Sequence, residues 1–327
     1  MIIFDFDTIS PNGSIDCYVM LKTVEKKTSA KGGAYLDATI SNKTGEMNAK
    51  LWDYSEAIHG VYEAGNLVKL RGTVSEYKGA NQFRIERIRL VLPEDGIDIN
   101  DFIPSTGFSE EDMWNELYKT ANSFSDGELK AIVTDILREK KEKMLYWPAA
   151  FKMHHAVRGG LLCHTLSIVR LAEAICKVYP FADRELLLAG AILHDIGKIE
   201  EFQLSSTGLV SGYSTKGNLV GHLVGGAITV EKSAEKLGIT SDTPMLLSHM
   251  LISHHGTPEY GAAVLPQFLE AELLSQLDFM DASVFEICEA TDSVKPGETT
   301  GRIFGLDNRK LYNHGRVKNS KYDPKIF

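Results

Sequence analysis

The chain has 327 residues, 43% of them hydrophobic and 24% charged, with a formal net charge of −9. That balance belongs to an ordinary globular protein, and it excludes wholesale disorder, a collagen-like repeat and a fibrous coiled coil. The length suffices for two domains of about 100–200 residues, each able to bury its own core.

The four cysteines, Cys17, Cys163, Cys176 and Cys288, include no CxxC pair. This argues against a zinc ribbon or a disulfide framework and predicts a reducing, cytoplasmic compartment. Asp5 and Asp7 interrupt the opening MIIFDFDTIS, where a signal peptide needs an unbroken apolar core. No uncharged apolar run approaches the roughly 18–20 residues of a membrane span, so no membrane partner is expected. Charge is uneven along the chain: residues 1–92 carry +1, 93–294 carry −15, and 295–327 carry +5. An acidic middle with less acidic ends fits a solvated surface or nucleic-acid-contacting flanks.

Residues 15–92 read as β-structure. Alternating, β-branched and aromatic segments fall at 15–24, 34–41, 46–52, 67–77 and 82–90, separated by the turn signals Lys31-Gly32-Gly33, Asn42-Lys43-Thr44-Gly45, Ala64-Gly65-Asn66 and Lys78-Gly79-Ala80-Asn81. Five short strands with a helical stretch near 54–62, between the third and fourth, give the element order of an OB-fold barrel. Closing the barrel removes the edges these strands would otherwise expose. Residues 1–92 are therefore assigned to an N-terminal OB-fold domain.

A linker covers 93–108, and Ser109-Glu110-Glu111-Asp112 starts a helix. From there the periodicity is helical: 110–124, 126–145, 161–178, 184–196, a segment after Gly221, 244–253 and 268–291. A β-like interruption falls at 208–214. Residues 109–294 thus form an all-α domain, and 295–327 a basic C-terminal tail that reads as loop.

The strongest chemical signal lies in the helical region. His164, His194-Asp195, His222, His254-His255 and Asp278 stand in order, most of them in short Gly-flanked strings. Imidazole and carboxylate suit Mn, Fe, Co, Ni and Zn, and seven such groups exceed the needs of one ion. The set therefore suggests two divalent ions sharing a carboxylate, an arrangement that activates water against phosphate esters. Adjacent His194 and Asp195 can reach a common point only where a helix ends, since mid-helix neighbours splay by about 100°. Gly197 permits that end, and Lys198 is expected to stabilise charge developing on the phosphate oxygens. Asp195 is the expected bridge and, with Lys198, the expected catalytic pair. His154, His155, His249 and Asp281 read as structural, with the substrate entrance an alternative place for His154 and His155, which precede Arg158-Gly159-Gly160.

These residues resemble the HD superfamily of metal-dependent phosphohydrolases, all-helical proteins defined by H…HD…D. The resemblance narrows further. The strings His154-His-Ala-Val-Arg-Gly-Gly-Leu-Leu-Cys-His164, Leu193-His-Asp-Ile-Gly-Lys198, Gly217-Asn-Leu-Val-Gly-His222 and Ser253-His-His-Gly256, following an OB domain, are similar to the YhaM family of bacterial 3′→5′ exoribonucleases. Thr300-Gly-Arg-Ile-Phe-Gly-Leu-Asp-Asn-Arg309 resembles that family's C-terminus.

The resemblance implies a manganese-dependent enzyme releasing nucleoside 5′-monophosphates from the 3′ end of single-stranded RNA, and also of single-stranded DNA. It assigns His164, His194, Asp195 and Asp278 to one metal site. It assigns His222, His254 and His255, with Asp195 shared, to a second. The GYP extension of cyclic-dinucleotide phosphodiesterases is absent after His255, where the chain reads Gly-Thr-Pro-Glu-Tyr-Gly.

Single strands are gripped by aromatic stacking together with backbone charge. Tyr35, Trp52, Tyr77 and Phe83, interleaved with Lys31, Lys50, Lys78 and Arg84, offer both, with part of the aromatic set expected to fill the barrel instead. Arg158 is added as a contact in the helical domain. Two other functions fit the sequence: a nucleotidase or dinucleotide hydrolase acting on a small ester, and an OB-fold single-strand binder without catalysis. The sequence leaves a homo-oligomer open.

Overall fold

The computed structural model describes residues 6, 14–29, 32–42, 45–77, 80–97, 102, 109–150, 158–205 and 210–316. The chain divides into two compact units, 1–105 with 204–211, and 106–203 with 212–327. His154, His155, Lys31 and Lys78 lie outside the described residues.

The first unit is a barrel of β1 (Ser14–Thr28), β2 (Ala34–Asn42), β3 (Gly45–Trp52), β4 (Leu67–Tyr77) and β5 (Ala80–Leu90). The strands close in the order β1-β2-β3-β5-β4, with β4 returning to β1 and only β3–β5 parallel. This is the OB-fold, in which every strand has two partners and no edge is left open. Strand parity fills the interior. In β3, Met47, Ala49 and Leu51 point inward, while Asn48, Lys50 and Trp52 do not. Cys17, Val19, Leu36, Ile40, Val68, Leu70, Phe83 and Ile85 complete the core.

The helical stretch expected near 54–62 is a single turn, α1 (Glu56–His59), with no buried residue. The barrel unit also runs past the expected boundary at 92. Arg89 donates two hydrogen bonds to Asp95, at 2.7 and 2.6 Å, and Phe102 is buried with Met20. The stretch read as linker therefore begins as part of the barrel's packing.

The second unit contains α2 (Glu110–Asn122), α3 (Gly127–Met144), α4 (Gly160–Val178), α5 (Arg184–Leu193), α6 (Lys198–Glu201), α7 (Thr215–Leu237), α8 (Thr243–Ser253) and α9 (Leu269–Asp292). Side-chain caps start several of them: Ser109, Asp126, Asp183 and Ser214 each accept a backbone N–H of the first turn. From Leu186 to Leu193, α5 is buried on every side, as a helix hydrophobic all round must be. It thereby carries residue 194 into the centre of the bundle.

A strand absent from the sequence reading, β6 (Phe202–Leu204), pairs with β7 (Val210–Tyr213). The stretch after 294 is more ordered than a loop: Thr299 pairs with Tyr312, and Ile303 with Arg309. No helix among the described residues is long and apolar enough to cross a membrane.

Candidate metal centre

Five helices and the turns that end them bring the seven residues together. His164 lies in the first turns of α4 and is fully buried. His194 caps the C-terminus of α5, and Asp195 follows in the turn before α6. That turn passes so near the next element that a Cβ on Gly197 would sit 2.1 Å from the carbonyl oxygen of His222, so only glycine fits. His222 follows a break in α7, where Gly221 has φ 72 and ψ 168. Positive φ costs glycine little. The break restarts the helix at His222, and Glu201 Oε1 accepts the N–H it frees at 3.1 Å. His254 caps α8, His255 follows it, and α9 supplies Asp278.

The two carboxylate oxygens of Asp195 face opposite ways. Oδ2 lies 3.4 Å from His194 Nε2 and 3.6 Å from His164 Nε2. Oδ1 lies 3.5 Å from His222 Nε2 and 3.8 Å from His254 Nε2. Asp278 Oδ1 is 3.1 Å from His164 Nε2, and its Oδ2 is 4.0 Å from His254 Nε2. Two groups of donor atoms result, His164–His194–Asp195 and His222–His254–His255, each compact enough for one ion.

A common device aims all five imidazoles. Each Nδ1 has an acceptor behind it: Asp281 for His164, Ala191 O for His194, Glu201 for His222, Leu251 O for His254 and Tyr260 O for His255. With its proton held at Nδ1, a neutral ring presents the Nε2 lone pair to the centre. The Nε2 atoms then crowd one another, at 3.2 Å between His164 and His194 and 3.3 Å between His222 and His255. Asp195 Oδ1 and His254 Nε2 are buried with no hydrogen-bond partner. Unsatisfied buried polar atoms carry a cost of about 1–3 kcal/mol each. Converging lone pairs and a bare carboxylate oxygen are what a cation relieves, so the donor set fits divalent metal.

The electrostatics point the same way. Burial opposes charge on Asp195, but Lys198 and His194 outweigh it and hold the carboxyl well below the usual range. Burial likewise opposes charge on Asp278, and the hydrogen bond from His164 overcomes it. Burial, reinforced by the neighbouring His255, holds His254 well below the ordinary imidazole value. His255 is pushed down by burial and then by His222. His164 differs: burial pulls it down, yet Asp278 and Asp281 raise its pKa to about 10. His164 and Asp278 would hold a divalent cation in place of that proton.

The sequence reading missed two carboxylates. Asp281, read as structural, accepts from His164 Nδ1 at 2.8 Å and from the hydroxyl of Ser167. Its spacing three residues after Asp278 puts both on one face of α9, a signal present in the sequence. Glu201 holds His222 through both backbone and ring, and no spacing announced it. His249, read as structural, accepts from Gln267 N at 3.0 Å and packs on Phe268. Lys198 places its ammonium on Asp195 Oδ2, at 2.7 Å.

On the barrel, the Tyr35 and Trp52 rings lie 4.7 Å apart, with Lys50 Nζ 5.3 and 5.6 Å from their centres. Arg84 is exposed beside Lys50 on the neighbouring strand. Phe83 corrects the expected list: it is 0% exposed and fills the barrel core, as the parity of β5 requires. Tyr77 ends β4. In the helical unit Arg158 lies 3.7 Å from Glu110.

An HD-domain family model matches residues 161–283. With the histidine–aspartate cluster this defines an HD-domain phosphohydrolase, one that also carries an OB barrel. The protein named 3′-5′ exoribonuclease YhaM in Listeria welshimeri is 35% identical over 300 residues, 92% of this chain and 95% of that one. The protein of the same name in a Geobacillus species is 36% identical over 298 residues, covering 91% of both. The chain belongs to the YhaM family, and it is a hydrolase that cleaves phosphodiester bonds. Among solved structures, the second OB-fold domain of replication protein A from Methanococcus maripaludis matches 28% of this chain and 95% of its own, at 14% identity and a TM-score of 0.24. The barrel assignment stands on the strand order.

Proposed function

We propose that the chain is a 3′→5′ exoribonuclease that holds two divalent ions, manganese foremost with iron or cobalt suited to the same donors, and releases nucleoside 5′-monophosphates from single-stranded RNA. Single-stranded DNA is a second substrate of the same chemistry. The observation that carries this reading is Asp195, whose oxygens face two separate imidazole groups. Bound there, the ions supply Lewis-acid activation of water and neutralise phosphate charge.

The chain's own residues do the rest. His164, His194 and Asp278 hold one side of the centre, and His222, His254 and His255 the other, with Asp195 between them. The depressed values of Asp195, Asp278, His254 and His255 keep those four donors in their binding forms at neutral pH. Lys198 offsets the negative charge of Asp195, so that a phosphodiester enters a less anionic pocket. The relatives are named exoribonucleases, and the Tyr35–Trp52 pair with Lys50 offers a base platform beside a cation. Four free thiols fit work in the cytoplasm.

The test is 5′-labelled single-stranded RNA with Mn²⁺, comparing the wild type with Asp195→Ala. A ladder shortening from the 3′ end, absent in the variant, supports the reading. Internal cuts, or a ladder from the variant, overturn it.

A further inference from the structure

The stretch after α9 is built to display an aromatic ring among cations. Its frame is well tied. Asn313 Nδ2 donates to the carbonyls of Thr291 and Val294 at the end of α9. Thr300 N donates to Leu311 O at 2.9 Å, and Leu311 N to Thr300 Oγ1 at 3.0 Å. Leu306 is buried at 3% exposure, and Asp307 and Asn308 adopt left-handed φ of 54 and 57 to turn the chain back.

Two residues before Leu306, Phe304 is 89% exposed, the most exposed large hydrophobic side chain among the described residues. Tyr312 is 61% exposed across the Thr299–Tyr312 bridge. Exposing a phenyl ring forgoes the gain from burying it, and here a folded frame holds it out.

The surroundings select the partner. From 295 to 316 there are five basic residues (Lys295, Arg302, Arg309, Lys310, Arg316) against two acidic, a net +3 following an acidic middle of −15. Arg302, Arg309, Lys310 and Arg316 are exposed, and among the described residues none of the five forms an ion pair. An apolar protein partner would gain nothing from unpaired guanidinium and ammonium groups around the ring. A polyanion with flat faces matches both features.

We infer that the Gly297–Arg316 loop is a single-strand nucleic-acid contact in the helical unit, separate from the barrel, with Phe304 stacking on a base and Arg302 and Lys310 meeting phosphates. This rests on the reading of the chain as a nuclease of single strands.

The test measures fluorescence anisotropy of a labelled oligouridylate, closed at its 3′ end by phosphorothioate linkages, across a salt series with the full chain. Phe304→Ala weakens binding about five-fold or more at every salt concentration, and Phe304→Trp restores it. Arg302→Ala/Lys310→Ala makes the slope of log affinity against log salt shallower by about 1.4. Phe181→Ala, which removes a 74% exposed phenyl elsewhere on the same unit, leaves binding as in the wild type.

If the wild type binds and neither loop variant changes its affinity or slope, the loop assignment falls and the nuclease reading stands. If Phe304→Ala alters only the sedimentation of the protein, the loop is a contact between copies and the assignment also falls. If the wild type itself fails to bind at low salt, both readings fall together.

Discussion

Nζ of Lys198 donates to Oδ2 of Asp195 at 2.7 Å, with side chains 12% and 2% exposed. Burial pulls the Lys198 ammonium toward its neutral form, but Asp195 outweighs it and the net shift is upward. The lysine is therefore a fixed cation that compensates the carboxylate shared by both donor groups. Removing one member of a buried pair leaves the other uncompensated, at a cost of about 3–5 kcal/mol. Lys198→Ala is expected to lose that much in urea unfolding with a chelator present. The loss shrinks in saturating Mn²⁺, because ions bound to the folded state neutralise Asp195 in its place. An equal loss under both conditions would show that the lysine supports only the packing around it.

Two imidazoles are backed by carboxylates and three by main-chain carbonyls. The carboxylate-backed rings, His164 and His222, fall one in each donor group. A carboxylate raises the basicity of the ring it holds, and losing such a partner costs about 10- to 100-fold in metal affinity. Asp281→Asn and Glu201→Gln should each weaken one of two Mn²⁺ binding events in calorimetry and leave the other near its wild-type value. Equal weakening of both events in both variants would mean that the two groups do not act separately.

Much of the site was legible because its chemistry is written in short strings. His194-Asp195 and His254-His255 each sit where a helix ends, and consecutive side chains can converge only there. The barrel was legible from alternation. Phe83 and Arg84 nevertheless both stand among the expected contacts, although neighbours on a strand face opposite sides, and the ring is inside. Glu201 was invisible for another reason. Its role depends on the break at Gly221 leaving an N–H to satisfy, and that is a tertiary fact. The fold of the stretch after 294 was hidden too, since two isolated bridges leave no periodicity to read.

The parity of the barrel separates grip from stability. Trp52→Ala and Lys50→Ala, on the outer face, should lower affinity for single-stranded RNA. The first loses about 1–3 kcal/mol of stacking, and the second also flattens the salt dependence. Phe83→Ala instead empties the core and should destabilise the fold by about 3–5 kcal/mol. Affinity and urea midpoint measured on all three decide it. A Phe83 variant with wild-type stability and weakened RNA binding would reverse the assignment.

Glu200 gives a pH dependence outside the imidazole–carboxylate cluster. It accepts from Lys216 and, at 3.1 Å, from Lys140. The Lys216 hydrogen bond is the main cause that lowers its carboxyl from an ordinary 4.5 to about 2. A depressed carboxyl contributes stability that is complete above the unfolded-state value and is lost as pH falls through the folded one. The wild type should therefore exceed Glu200→Gln by a constant margin above about pH 5. That margin should close between 4.5 and about 2. Urea midpoints of both proteins, taken at intervals from neutrality downward, measure it. A margin that stayed fixed to the bottom of that range would assign the effect to geometry, with no part played by the carboxylate's charge.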